Sequence, residues 1–212
     1  MKQVLTVIAK ILSVTFYPLF VPTYGVVLFC YAYDTQVNPL SPVWTAIAIV
    51  GTFLLTCLIP MSAIWIRIKR GLIQDIQIDN PEQRTIPYLY AGLGFGFWAY
   101  LMIAILHAPL YIGFIALGAM GAIGLITLIN RWWKISAHLT GIGGLLGGLF
   151  SYCLGIGALP TIGTLCLWFG LTLVLMYARI YLKAHTASQV SAGWILGLTC
   201  TFLPYCIYVY AQ

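Results

Sequence analysis

The chain has 212 residues, 62% of them hydrophobic and only 7% charged, with a formal net charge of +6 and a mean hydropathy of +0.99. A soluble domain carries roughly 25% charged residues, so a water-soluble globule is excluded and a polytopic membrane protein is expected. In such a chain the positive balance is no signal for nucleic acid, and its meaning depends on where the ten Lys and Arg fall.

The apolar runs last about 20 residues, the length of a helix crossing the roughly 30 Å hydrocarbon core, whereas a barrel would alternate in segments of about ten. The expectation is therefore an all-α integral membrane helix bundle of six or seven transmembrane spans, forming a single domain over residues 1–212. The start, Met1-Lys2-Gln3, runs straight into an apolar segment with no small-residue cleavage site, so no cleavable signal peptide is expected.

Residues 4–33 are apolar but broken by Lys10, Pro18 and Pro22. Proline removes a helix hydrogen bond, so this segment reads as a kinked span or as an interfacial helix followed by a span. Turn chemistry over 34–42 predicts a loop, and 43–66 a further span. The longest polar stretch, 67–87, holds Arg67, Lys69, Arg70 and Arg84 with three of the four acidic residues, Asp75, Asp79 and Glu82. Spans are predicted over 88–107 and 110–130, joined at His107-Ala108-Pro109, where His107 reads as a turn residue. A polar island, Asn130-Arg131-Trp132-Trp133-Lys134-Ile135-Ser136-Ala137-His138, precedes spans over 139–157 and 161–178. The stretch from Arg179 to Gln189 then gathers Arg179, Lys183, His185 and Gln189, and a last span covers 190–210.

An even number of crossings returns a chain to the side it left. Two spans separate the 67–87 loop from the 130–138 island, and two more separate that island from 179–189, so all three polar clusters are expected at one membrane face. Eight of the ten Lys and Arg lie in them. The positive-inside tendency points this face to the cytoplasm of a plasma (inner) membrane, although a phosphate site would need the same cations on either side.

The six cysteines lie inside apolar runs without a C-x-x-C and read as small, reduced, buried hydrophobes. The glycine run 141–148 contains two overlapping G-x-x-x-G pairs, which predict close helix contact; it lacks the Lys-Ser/Thr of a phosphate loop. Ionisable groups in so apolar a chain mark function by default. Arginine forks match phosphate oxygens, and a histidine near neutrality can attack or donate a proton. Gathered cations and imidazoles therefore suit a phosphate carried by a lipid.

At these residues the chain resembles the type 2 phosphatidic acid phosphatase superfamily over about residues 75–200. Arg179, five residues, His185, three residues, Gln189 is similar to the third signature, S-R-x5-H-x3-D. Ile135-Ser136-Ala137-His138 resembles the second, P-S-G-H, and Gln77, six residues, Arg84 takes the frame of the first, K-x6-R-P. The resemblance implies His185 as a nucleophile forming a phosphohistidine, His138 as the acid that protonates the leaving group, and Arg84, Arg179 and Ser136 as phosphate-binding groups, with no metal and no cofactor. Departures are Gln77 for lysine, Thr85 for proline, Ile135 and Ala137 in the second signature, and Gln189 for the aspartate that orients the nucleophile. Lys134 is a candidate replacement cation, and Asp75, Asp79 or Glu82 a candidate substitute carboxylate. Ala137 fits only if that position keeps negative φ. The expected function is hydrolysis of a lipid phosphate or diphosphate, with a headgroup-binding homologue of weakened activity and an anion transporter as rivals. The sequence leaves the lipid and the oligomeric state open.

Overall fold

The computed structural model describes residues 2–30, 41–76, 78 and 80–212. These residues form α1 (Lys2–Thr15), α2 (Val21–Leu28), α3 (Pro42–Lys69), α4 (Thr85–Ile105), α5 (Leu110–Ile129), α6 (Ala137–Gly155), α7 (Ile162–Tyr181) and α8 (Ala187–Tyr210), with no strand among them. Helices α3 to α8 are each long and apolar enough to cross a membrane. The protein is an all-α, multi-pass membrane bundle. Most of the 34–42 loop, together with Gln77, Asp79 and the side chain of Glu82, lies outside the described residues.

Helix α6 is the core of the bundle, with Leu139, Leu146 and Leu149 fully buried. Its glycine run serves two faces. A Cβ on Gly143 would meet the Trp194 carbonyl and one on Gly147 the Leu198 carbonyl, so these two admit α8 at backbone contact. Hydroxyls fasten the same seam: Thr201 Oγ1 donates to the Gly144 carbonyl at 2.8 Å, and Ser151 Oγ to the Thr201 carbonyl at 2.8 Å. Gly141 and Gly144 are different, because a Cβ there would meet nothing closer than 3.6 Å. The predicted G-x-x-x-G contact thus holds for the pair 143 and 147, while Gly144 and Gly148 also line a cavity.

Helix ends follow local chemistry. In α3 the segment Phe53–Leu58 widens to a π-helix just before Pro60, which has no N–H and whose ring crowds the carbonyl four residues back. Pro204 likewise interrupts the hydrogen bonding of α8, and Gly118 of α5 packs against the Cys200 carbonyl four residues before it.

The N-terminal segment takes the form of a surface helix followed by a descending one. Helix α1 has 14 residues, short of the roughly 20 a crossing requires. Its two ends contact the same end of the bundle. The Lys2 carbonyl accepts from the Tyr181 hydroxyl at 3.2 Å, and the Ser13 carbonyl lies 3.0 Å from His138 Nε2. From Pro18 the chain then runs inward along α6, with Val21 beside Gly141, Gly25 beside Leu145 and Phe29 stacked on Tyr152 at 5.0 Å. Among the cysteines, Cys57 and Cys153 are buried as expected, but Cys166 faces outward from α7.

Candidate functional site

The site lies at the end of the bundle where α3, α5 and α7 finish and α4, α6 and α8 begin, and each side chain there is placed by a helix terminus. Arg84 is the residue before α4, 5% exposed, and its Nε donates to the Ile78 carbonyl at 2.7 Å. Ile78 holds a φ of +47°, and its N–H donates to Asp75 Oδ1 at 3.2 Å. A positive φ is strained for a β-branched residue; here it turns a carbonyl onto a buried guanidinium.

Arg179 is in the last turn of α7 and 3% exposed. The helix stops in a Schellman motif: Lys183 N–H donates to the Ile180 carbonyl at 2.9 Å and Ala184 N–H to the Arg179 carbonyl at 3.1 Å, with Lys183 at φ +54°. This turn reverses the chain and brings His185 back beside Arg179. Thr186 then caps α8 in a capping box with Gln189.

That box decides the chemistry of His185. Gln189 Oε1 accepts the Thr186 N–H at 3.1 Å, which identifies the amide oxygen, and lies 3.3 Å from His185 Nδ1. The Lys134 carbonyl is 3.2 Å from the same nitrogen. Both neighbours only accept, so Nδ1 carries the proton and Nε2 keeps the lone pair. Burial and the cationic Arg179 and Arg84 lower the His185 pKa to about 4, against a smaller upward pull from the Lys134 carbonyl. The side chain is neutral at pH 7.

His138, in the first turn of α6, is 7% exposed. Its Nε2 faces the Ser13 carbonyl at 3.0 Å, so that nitrogen donates and Nδ1 has the lone pair. Tyr17 sits edge-on to its ring at 5.8 Å between centroids and donates its hydroxyl to the Ile76 carbonyl at 2.6 Å.

Arg84, His138, Arg179 and His185 line one cavity of about 50 Å³, walled on the other sides by Tyr17, Pro18, Tyr88 and apolar neighbours. A water needs roughly 10–15 Å³ of such space, so the volume holds three or four waters or a group of phosphate size. Among the described residues no acidic side chain lines it. Two buried guanidiniums facing such a space favour an anion.

The remaining predicted residues stand differently. Ser136 is fully buried as the residue before α6; its hydroxyl has no hydrogen-bond partner and it is not a wall of the cavity. Lys134 enters through its carbonyl, and its ammonium is not among the cavity walls. Ala137 is absent from the positive-φ residues, which meets the condition for alanine there. Asp75 is exposed and occupied at Ile78 rather than at His185. His107 lies at the opposite end with φ +50°, a turn residue as expected. Among the described residues no group of three His, Cys, Asp or Glu is placed to hold a metal ion. Sequence reasoning missed Ser13, Tyr17 and Tyr88, the last a neighbour of both Arg84 and Asn130.

No protein-family model, curated protein or solved structure matches this chain.

Proposed function

We propose that this protein is a membrane phosphatase that hydrolyses a lipid phosphate or lipid diphosphate through a phosphohistidine at His185, as the resemblance to the type 2 phosphatidic acid phosphatase superfamily implies. One observation supports the reading above others: a neutral imidazole with its Nε2 lone pair available shares with two buried arginines a cavity that no acidic side chain lines among the described residues. Nε2 attacks phosphorus, the bond from phosphorus to the leaving oxygen breaks, and the imidazole becomes positively charged. Arg84 and Arg179 hold the phosphoryl oxygens while that charge shifts. The Gln189 and Lys134 oxygens keep the Nδ1 proton in place. The leaving oxygen takes its proton from the imidazolium form of His138, whose Nδ1 has first accepted a proton from the incoming phosphate monoanion, and His138 is left neutral with its Nε2–H still on the Ser13 carbonyl. Water then attacks the phosphohistidine and passes its proton to His138 Nδ1, inorganic phosphate leaves with that proton, and both histidines return to their starting state.

The substrate reaches the site from the bilayer, and the cationic end of the bundle is taken as the cytoplasmic face of the plasma membrane. The decisive assay compares phosphate release from an isoprenyl diphosphate, a phosphatidate and a monoalkyl phosphate by the wild type and by His185→Ala. Release by the wild type that disappears in the variant supports the reading, and equal, negligible release from all three removes it. A second reading, a lipid-headgroup-binding protein of little activity, is favoured by one feature: both acceptors at His185 Nδ1 are neutral, where a carboxylate would stabilise the imidazolium. Transport of anions finds less support, because the buried cations sit at helix ends rather than through the depth of the bundle.

A further inference from the structure

A second, larger cavity of about 430 Å³ lies inside the bundle between α2, α3, α4, α5 and α6, within the range of roughly 300–1,000 Å³ usual for small-molecule sites. It extends along α6 from Ala137 to Tyr152; at 1.5 Å per residue, 15 residues give about 22 Å. At its far end it is lined by Met102, His107 and Tyr152. Spread over that length, the volume is an elongated space on the scale of a hydrocarbon chain.

Two independent features point to its occupant. The first is its adjacency to the cationic cavity, with which it shares the walls Pro18, Leu19, Tyr88 and Ala137. The second is how the space is kept open. Ala116, Ala119 and Ala122 face it from α5, and Gly141 and Gly144 from α6. Gly143 and Gly147 must be small to admit α8, but a Cβ at Gly141 or Gly144 would stand in ordinary contact. Packing against the neighbouring helices therefore does not require glycine at these two positions, and with the alanines they leave the space unfilled. A polar head at one end and an apolar bore behind it match the two halves of a lipid phosphate.

We infer that this channel binds the single hydrocarbon chain of a lipid phosphate whose headgroup occupies the cavity of Arg84, Arg179, His138 and His185, and that singly tailed lipids are preferred to diacyl ones. The inference rests on the phosphate-site reading above and adds the substrate class. A diacyl lipid has a second chain for which the bore has no room, so it binds with one chain left at the surface of the bundle.

The probe is hexadecyl phosphate carrying a diazirine at the end of its chain, bound to full-length His185→Ala protein in nanodiscs, irradiated and mapped by peptide mass spectrometry. Crosslinks, assigned to single residues, are expected at the cavity-lining Ile112, Ala116 and Ala119 of α5 and Gly148 and Tyr152 of α6. Unlabelled hexadecyl phosphate should displace the probe at a concentration at least tenfold below that of hexadecanol or of a diacyl phosphatidate. In the wild type, Ala119→Phe should lower kcat/KM for hexadecyl phosphate at least tenfold while leaving octyl phosphate within twofold. Crosslinks confined to outward-facing positions such as Leu117 and Leu125, or equal displacement by all three lipids, overturn the inference. Channel labelling by a protein whose wild type releases no phosphate leaves the binding site standing and removes the phosphatase. Phosphate release without channel labelling does the reverse.

Discussion

At the scale of single residues, the account turns on which nitrogen of His185 carries the proton. Gln189→Glu keeps the length of the side chain and both acceptor contacts of Oε1, but places a negative charge beside Nδ1. An opposite charge at hydrogen-bond distance raises a histidine pKa. The variant should move the acid limb of kcat/KM upward by about one unit or more and raise turnover, because the charged phosphoimidazole gains a counter-charge; a pH-rate profile checks both. In the wild type the acid limb due to the enzyme should lie near 4, where His185 titrates, once the ionisation of the substrate has been measured separately. The sign for stability follows from the same lowered value. Between the ordinary histidine pKa of about 6.5 and about 4 the unfolded chain binds a proton that the folded chain does not, so stability falls as pH drops through that window. Thermal melts in detergent across that range should show the decline, and His185→Gln should make it shallower.

The pairing of His185 with Gln189 is legible in the sequence because positions four apart share a helix face. Lys134 is not, because its contribution is a backbone oxygen, and no pattern of side chains says which carbonyl will face an imidazole. Ser13 and Tyr17 are illegible for a related reason: they reach His138 from more than 120 positions away, through a surface helix whose path only the fold defines.

At the scale of elements, α6 sets the geometry, since it carries His138 at its head, the seam with α8 on one side and the channel on the other. A Cβ at Gly143 would run into the Trp194 carbonyl, which is backbone and cannot swing aside. Gly143→Ala should therefore lower the melting temperature by several degrees and reduce phosphate release with it. Gly121→Ala in α5, where a Cβ meets nothing within 4 Å, is the control: removing a mid-helix glycine there should be neutral or stabilise by up to about 1 kcal/mol. The sequence shows that residues 141–148 are a packing element but not that its glycines divide between two faces, because the two G-x-x-x-G pairs are offset by one residue and only the position of α8 separates them. The N-terminal segment is similar. Its prolines break one long apolar run, and whether the pieces cross or lie flat depends on contacts of Lys2 and Ser13 with helices late in the chain.

At the scale of the molecule, the result that matters is the return of the chain to one end after each pair of helices. This much is readable from span counting alone, since the helices α4 to α8 alternate in direction between polar segments. The cavity itself is not readable, because its walls include Tyr17 and Pro18 from a segment with no polar signal. If the gathered end is one working site, Arg84→Ala and Arg179→Ala should each cost about a hundred- to a thousandfold in kcat, the scale for losing a group that stabilises developing charge, although the two arginines lie 95 positions apart. The central claim is covalent transfer to His185, and trapping tests it most directly. Wild-type protein is mixed with a radiolabelled lipid phosphate, quenched in alkali, where phosphohistidine survives, and digested for mass spectrometry. The account predicts an acid-labile phosphate on the peptide containing His185, absent from Arg84→Ala and Arg179→Ala; phosphate released with no label on the protein, or label on any other residue, would contradict it.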